Sequence, residues 1–238
     1  MNWNTVIYAD CMNPENGLPT LEDKSIDLCL TDPPYNVKAK PNSQRRLNYQ
    51  TKDAKTQDVG YNDYIENYED FCITWFKEID RICNMIIFTP GTNNIFFWNE
   101  IKKIGISNLF YHYKPNGQGV TGTARFNRIE PILAYGLPNK FPFNENVFRI
   151  SLSNGFMRDR NYIHPHPKEF KLYYRILKEL RPKSVIDHFL GSGTTAEACT
   201  KLGIPWIGYE LKKEYSQDIN MRLKHCRPIK KLKQHSLV

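Results

Sequence analysis

A strand, a glycine-rich turn and a helix follow one another late in this 238-residue chain. The apolar stretch 184–187 leads to Gly191-Ser192-Gly193, and the helix predicted to begin at Thr194 ends at Gly203. A second short strand, 206–209, comes next. Strand, helix and strand in this order predict an α/β fold with a doubly wound, largely parallel sheet, in which ligands bind at the carboxyl ends of the strands.

This unit predicts half of a nucleoside-binding site. Glycines let a ligand approach the backbone, and Glu210, 23 residues after Asp187, has the place of the acid that binds ribose hydroxyls. A dinucleotide site would carry a third glycine, whereas two threonines follow Gly193 here. S-adenosylmethionine carries no phosphate and fits this turn better; a phosphate-binding or purely structural turn is the alternative.

The segment Thr31-Asp32-Pro33-Pro34-Tyr35-Asn36 follows another apolar run, 26–30, and predicts a second site. The two prolines stiffen the turn and leave carbonyls free to accept hydrogen bonds. Asp32 and the Pro33 carbonyl can accept the two N–H groups of a base's exocyclic amine while Tyr35 stacks on the ring. The pattern indicates amine alkylation without a metal, and an ordinary strand-ending turn is the alternative.

Together, D-P-P-Y and the later D-x-F-x-G-S-G-T-T resemble the S-adenosylmethionine-dependent DNA amino-methyltransferases. The catalytic motif precedes the cofactor motif, which is similar to the circularly permuted group called beta. The resemblance spans roughly residues 6 to 224, except 37–60 and 137–163. It implies a Rossmann-like class I methyltransferase fold. It also implies an enzyme that flips its target base out of double-stranded DNA. Adenine N6 is the expected target. In that family, aspartate before P-P-Y mostly accompanies methylation of adenine N6, whereas serine there mostly accompanies methylation of cytosine N4.

The resemblance also implies the roles of individual residues. Catalytic roles fall on Asp32, Pro33, Pro34 and Tyr35. Cofactor-binding roles fall on Asp10, Lys168, Asp187, Phe189, Gly191, Ser192, Gly193, Thr194 and Glu210. Asp10 could equally cap a turn. His188 departs from the family, which has proline there, and no metal site is expected because His164 and His166 lack further ligands at metal spacing.

The net charge of +8 favours a polyanionic partner. Expected DNA contacts are Lys38, Lys40, Arg45 and Arg46 in a mobile basic loop at 37–60, Lys114 at a strand end, and Arg158 and Arg160 in a short candidate recognition segment at 137–163. A solvated loop is the alternative for the first region. For the second, its interleaved aromatic and basic residues could instead pack a small lobe.

We expect one methyltransferase domain over residues 1–238. Helices are predicted at 63–83, with its aromatic residues in the core, at about 94–103 and at 169–180. The six cysteines include no C-x-x-C pair and are expected to be reduced. A cytoplasmic location is expected because neither a signal pattern nor a long apolar run is present. Cytosine-N4 methylation, RNA methylation, a noncatalytic nucleic-acid-binding subunit, a partner restriction endonuclease and a homodimer stay open.

Overall fold

The computed structural model describes residues 1–36, 64–101, 108–117, 128–140, 142–152, 162–164, 167–224 and 226. Within these ranges eight strands form one sheet in the order β1-β8-β7-β2-β3-β5-β4-β6. The strands are β1 (Thr5–Ile7), β2 (Ile26–Thr31), β3 (Cys83–Phe88), β4 (Asn108–Tyr113), β5 (Ile129–Tyr135), β6 (Val147–Arg149), β7 (Val185–Asp187) and β8 (Trp206–Tyr209).

Five α-helices lie in the same described ranges: α1 (Tyr68–Ile82), α2 (Ile95–Ile101), α3 (Phe170–Leu180), α4 (Thr194–Leu202) and α5 (Ser216–Lys224). Short 3-10 turns occupy Leu18–Thr20, Thr92–Asn94 and Lys213–Tyr215. Glu169 caps α3 by accepting a hydrogen bond from Lys171 N, and Gly203 ends α4 with a positive φ of 68°. None of the described helices has the length and apolarity that crossing a membrane requires.

The expectation of a largely parallel, doubly wound sheet is confirmed. All neighbouring strands run parallel except at β5, which is antiparallel to both β3 and β4. Side chains alternate between the two faces of β2, so that Leu28 and Leu30 join the core beside α3 and α4, whereas Cys29 joins the core beside α1. Helices therefore cover both faces of the sheet.

The aromatic residues of α1 lie in the core, as predicted. Trp75 is fully buried, and its ring lies 5.3 Å from the ring of Trp98 in α2 and 5.7 Å from that of Phe88 in β3, measured between centroids. The helix begins at Tyr68, five residues after the predicted start, because a turn occupies residues 66 and 67. This aromatic layer packs against the sheet at β3, the strand that pairs with β2.

Two of the three aromatic residues that the structure describes at 137–163, Phe143 and Phe148, pack in the core and do not form a nucleic-acid surface. Phe143 and Phe148 are buried, with their rings 5.2 Å apart and both within 6.0 Å of Phe110. The strand that contains Phe148, β6, pairs in parallel with β4 at the sheet edge. This part of the segment therefore extends the sheet.

Two neighbouring parallel strands, β2 and β7, place both sequence motifs at the same edge of the sheet. Asp32 follows β2, and Asp187 ends β7. The Thr31 hydroxyl donates a 2.7 Å hydrogen bond to the Asp187 carboxylate, which joins the two strand ends directly. Motifs that lie about 150 residues apart in sequence thus form one cleft at the carboxyl ends of the strands.

Candidate active site

Protein side chains contact the Asp32 carboxylate through only one of its two oxygens, Oδ1, among the described residues. Oδ1 accepts a 2.5 Å hydrogen bond from the Tyr35 hydroxyl, another from the Thr89 hydroxyl, and lies 3.0 Å from Lys168 Nζ. Among the residues that the structure describes, no donor contacts Oδ2. The carboxylate is thereby fixed in orientation with one oxygen left to accept from a ligand.

The backbone of the D-P-P-Y turn is tied down by two polar side chains. The Tyr68 hydroxyl donates to the Pro34 carbonyl at 2.7 Å, and Asn94 Nδ2 donates to the Tyr35 carbonyl at 3.1 Å. Asn94 also donates to the carbonyl of Pro90 at 2.9 Å, which connects the turn to the end of β3. Neither the Pro33 carbonyl nor Asp32 Oδ2 accepts a hydrogen bond from a described residue, so the turn keeps two acceptors for a ligand.

Tyr35 lies with its hydroxyl turned inward toward Asp32. Gly91 covers its ring: a methyl group on Gly91 would lie 3.0 Å from Tyr35 Cγ, and the φ of 76° at Gly91 also favours glycine. Burial, the Asp32 carboxylate and the Glu130 carboxylate raise the pKa of the phenol well above its ordinary value, so it stays a neutral donor. Stacking of this ring on a base stays a prediction.

Lys168, expected at the cofactor, places its ammonium in the catalytic cluster. Nζ lies 2.6 Å from the Glu130 carboxylate and also contacts the Tyr35 hydroxyl. Only the main chain of Lys168 reaches the glycine turn, where its carbonyl accepts a 3.4 Å hydrogen bond from the Thr194 hydroxyl. The side chain therefore serves the D-P-P-Y turn.

Glu130 and Thr89 complete the cluster of Asp32, Tyr35 and Lys168. Neither residue belongs to the motifs from which the site was predicted. Glu130 contacts His112 Nδ1 at 3.5 Å and Lys114 Nζ at 3.9 Å in addition to Lys168. The ammonium of Lys168 holds the pKa of the Glu130 carboxyl well below its usual range, against the opposing effect of burial. The signal in the sequence was limited to the apolar runs beside each residue, 85–88 and 131–135, which indicate strands.

The glycine turn after β7 has the backbone geometry of a ligand cradle. Gly191 and Gly193 have φ values of 53° and 83°, in the left-handed region that favours glycine. A methyl group on Gly191 would lie 3.0 Å from the imidazole Nε2 of His164. Glycine is therefore required at position 191 both by its backbone conformation and by the His164 ring that packs against it.

Glu210 closes this cradle from the end of β8. Its carboxylate accepts hydrogen bonds from Gly191 N at 2.7 Å and Lys212 N at 2.8 Å, so both oxygens are held by the backbone. Burial is the largest effect on this group and raises the pKa of Glu210 to about 7. Its protonation state thus changes near neutral pH.

Four other expected cofactor residues turn their side chains into the protein. Asp187 accepts from the hydroxyls of Thr31 and Thr195 and from Phe189 N, and burial raises its pKa to about 6. The remaining contacts are Phe189 against Trp75, Ser192 Oγ with Arg222, and Thr194 Oγ1 with the Lys168 carbonyl. These side chains hold the turn against the protein interior, and none of the four is placed here to contact a ligand.

Asp10 lies at the exposed end of β1, beside β8. Its carboxylate accepts a 2.9 Å hydrogen bond from Met12 N. This is the turn-capping contact that the sequence offered as the alternative to a cofactor role. Because Glu210 N donates to the Ile7 carbonyl, the ends of β1 and β8 lie together. Asp10 therefore stays a cofactor-binding prediction.

His188, in the place of the family's proline, is a core residue. Its ring lies 4.9 Å from that of Trp75, and Nδ1 is 3.7 Å from Cys29 Sγ. Burial lowers its pKa to about 3, so the imidazole is neutral. The strand end keeps its hydrogen bonds to Thr31 and Thr195, so this substitution leaves the site geometry in place.

The last helix, α5, contacts the glycine turn through buried polar side chains. Arg222 is fully buried and donates to Glu197 at 2.6 Å and to Ser192 Oγ at 3.2 Å. Asp218, also fully buried, accepts from the backbone N–H groups of Ile163 and His164. The contacts connect α5 to α4, to the glycine turn and to the segment that carries His164.

Most expected DNA contacts lie outside the described residues: Lys38, Lys40, Arg45, Arg46, Arg158 and Arg160. Lys114 is described, and its ammonium lies 3.9 Å from Glu130 Oε2, so its DNA contact stays a prediction. His166 also lies outside. The expected cysteine state is confirmed for the described residues, where all six thiols are free and five are buried.

A doubly wound sheet with D-P-P-Y at the end of one strand and a glycine cradle at the end of its parallel neighbour defines a class I methyltransferase. The chain belongs to the N6/N4 DNA methylase family, whose family model, described as DNA methylase, matches residues 26–221. This family comprises S-adenosylmethionine-dependent DNA amino-methyltransferases.

Individual relatives agree with this assignment. The type II methyltransferase M.HinfI of Haemophilus influenzae is 28% identical over 260 residues, covering 94% of this chain and 69% of that protein. The type II methyltransferase M.HpaI of Haemophilus parainfluenzae is 30% identical over 249 residues, covering 90% and 73%. The crystal structure of the M1.HpyAVI–SAM complex shares the fold, with a TM-score of 0.61, 18% identity and coverage of 92% and 98%.

Proposed function

We propose that this chain methylates adenine N6 of a base flipped out of double-stranded DNA. The observation that carries the proposal is the Asp32 carboxylate, with Oδ1 held by three protein donors and Oδ2 facing no donor among the described residues. With the Pro33 carbonyl it provides two acceptors on a stiff turn. Such a pair binds both hydrogens of an exocyclic amine.

The two fixed acceptors would supply the main chemical effect. The lone pair of an aromatic amine is delocalised into the ring, and the nitrogen becomes nucleophilic when its hydrogens are held in a tetrahedral geometry. Acceptors that are already oriented do this without reorganisation. As the nitrogen is alkylated it gains positive charge, and Asp32 Oδ2 takes the proton that it sheds. Flipping the base costs a few kcal/mol, which contact with Tyr35 would offset.

The residues around the glycine turn fit S-adenosylmethionine. When bound, it supplies a methyl group whose bond to the sulfonium sulfur breaks as the bond to the amine nitrogen forms. Carboxylates at the ends of β1 and β8 suit ribose hydroxyls and a cationic ligand, and Gly191 and Gly193 add no side chain to the turn. We assign ribose binding to Glu210, adenosine contact to Asp10, and backbone contact to Gly191 and Gly193.

Adenine is proposed over cytosine because Asp32 precedes P-P-Y, and the resemblance associates aspartate there mostly with adenine N6. The family itself includes both amines. Cytosine N4 is therefore the second candidate, and it would use the same acceptors in the same way.

Further partners follow from the same proposal. The basic residues at 37–60 and Lys114 would contact DNA phosphates. The names of the two relatives, type II methyltransferases, favour a cognate restriction endonuclease for this chain. A homodimer and a single domain over 1–238 stay predictions.

The test is to incubate the protein with unmethylated duplex DNA and methyl-labelled S-adenosylmethionine, digest the DNA to nucleosides and identify the labelled one by mass spectrometry. Labelled N6-methyldeoxyadenosine is expected. Labelled N4-methyldeoxycytidine would overturn the choice of base. Label in RNA alone would overturn the DNA substrate, and absent label with absent cofactor binding would support a noncatalytic binding subunit.

A further inference from the structure

The structure contains a partly buried ion cluster of three residues at the D-P-P-Y turn, in which 25% of the Asp32 side chain is exposed. Lys168 Nζ lies 3.0 Å from Asp32 Oδ1 and 2.6 Å from Glu130 Oε1. Only 17% of the Lys168 side chain and 16% of the Glu130 side chain are exposed. Buried charges are retained only where they are paired, so each member of this cluster depends on the others.

We propose that Lys168 is a positioning residue for methyl transfer: tethered by Glu130, it keeps Asp32 ionised and holds its Oδ1, so that Oδ2 is presented to the target amine. This inference rests on the proposed function. It assigns to Lys168 a role in the base site and not in cofactor binding.

The direction of each contact supports this role. Lys168, Thr89 and Tyr35 come from different parts of the chain and converge on the same oxygen of Asp32. A lysine that served only to neutralise the turn could contact either oxygen. Convergence on Oδ1 fixes the rotation of the carboxylate and leaves Oδ2 on the side where no described residue donates.

Glu130 determines where the ammonium lies. It sits on β5, antiparallel to β3, and its other carboxylate oxygen is supported by His112 at 3.5 Å and Lys114 at 3.9 Å. A lysine has a long, flexible side chain, so a second carboxylate is needed to hold the ammonium at one place. Two carboxylates, Asp32 and Glu130, are thus balanced by two ammonium groups, those of Lys168 and Lys114.

The ionisation of Asp32 depends on the same contacts. Burial raises the pKa of Asp32, Lys168 lowers it, and Glu130 raises it. Among the described residues, the other titratable groups around this cluster are His112 and Lys114 beside Glu130, Tyr35 on the turn, Tyr173 on α3 and Asp187 at the end of β7. Removing Lys168 should therefore move the ionisation of Asp32 to higher pH, and neutralising Glu130 should move it to lower pH.

The experiment measures single-turnover methyl transfer against pH, with saturating DNA and cofactor, for Lys168→Met, Lys168→Arg and Glu130→Gln. Lys171→Met is the matched control, because Lys171 is an exposed lysine three residues further along the chain, in the first turn of α3. We expect Lys168→Met to lose about 100-fold at neutral pH, with the acidic limb of the profile moved to higher pH. Arginine should restore much of the rate, and Glu130→Gln should move the limb the other way.

Two further readouts separate this inference from its alternatives. Cofactor affinity, measured by calorimetry, should stay within about threefold of wild type in Lys168→Met, since the cofactor site would be intact. A large loss of cofactor affinity, or a lower rate with an unmoved acidic limb, would overturn the positioning role.

The pKa of Asp32 can also be followed without any DNA, by carbon-13 NMR of aspartate-labelled protein. It should rise in Lys168→Met and fall in Glu130→Gln. If wild-type protein transfers no methyl to DNA, the proposed function fails, while this titration still decides the coupling: unchanged pKa values in both variants would overturn it.

Discussion

The Tyr35 hydroxyl donates a 2.5 Å hydrogen bond to Oδ1 of Asp32, so the first and last residues of the D-P-P-Y turn contact each other through their side chains. The turn is thereby closed into a small ring of interactions, with the two prolines between. Because this bond uses Oδ1, it leaves Oδ2 available to a substrate amine. Tyr35 thus supports Asp32 in addition to its proposed role of stacking on the base.

Replacing Tyr35 separates these two contributions. Tyr35→Phe removes one of three donors to Asp32 and should slow single-turnover transfer by about tenfold. Tyr35→Ala also removes the ring, and we expect a further loss of about tenfold or more, because base–aromatic stacking contributes about 1–3 kcal/mol. The fluorescence of 2-aminopurine at the target position should report stacking in Tyr35→Phe and its loss in Tyr35→Ala. Equal rates for the two variants would argue against stacking.

Cofactor binding should depend on pH through Glu210. Burial raises the pKa of Glu210 to about 7, above its ordinary value of 4.5, so the free protein carries a partly protonated group below neutral pH. Ribose hydroxyls are donors to a carboxylate, so binding favours the ionised form. Affinity for S-adenosylmethionine should therefore fall as pH drops through about 7, and binding at pH 6 should release protons.

Calorimetry in two buffers of different ionisation enthalpy measures that proton release. Glu210→Gln should bind more weakly and release fewer protons, whereas Glu214→Gln, an exposed neighbour, should match wild type. A proton release that persists unchanged in Glu210→Gln would place the titrating group elsewhere.

The buried ion pair below the glycine turn should matter for stability. Arg222→Met would leave the Glu197 carboxylate, 2% exposed, with only Lys201 at 2.9 Å, and should lower the free energy of unfolding by about 3 kcal/mol. Arg175→Met breaks a pair in which 41% of the arginine side chain is exposed, and should cost about 0–1 kcal/mol. Urea unfolding followed by circular dichroism measures both, and equal losses would contradict the distinction between the two pairs.

Much of the fold was predictable because its signals are local. The strand before Asp32, the strand before Gly191 and the helix ending at Gly203 all follow from apolar runs and glycine or proline positions within a few residues. Adjacency of the two motifs also followed, since parallel strands bring their carboxyl ends to one edge.

What could not be predicted depends on side-chain direction and long-range contact. Lys168 and Glu130 are 38 residues apart, and no sequence pattern indicates that the ammonium turns away from the cofactor turn. Phe148 lies beside Arg149 in sequence, but only the pairing of β6 with β4 reveals that it is buried. Likewise, the inward turn of the Tyr35 hydroxyl depends on the packing of Gly91.

The most direct test of the account is the rate of labelled methyl transfer to DNA by Asp32→Ala, measured together with its affinity for S-adenosylmethionine. Asp70→Ala, an exposed acid on α1, is the control. We predict a loss of about 1,000-fold in rate for Asp32→Ala, because the fixed acceptor for the amine is gone, with cofactor affinity close to that of wild type. A near-wild-type rate in this variant would contradict the central role of the D-P-P-Y carboxylate.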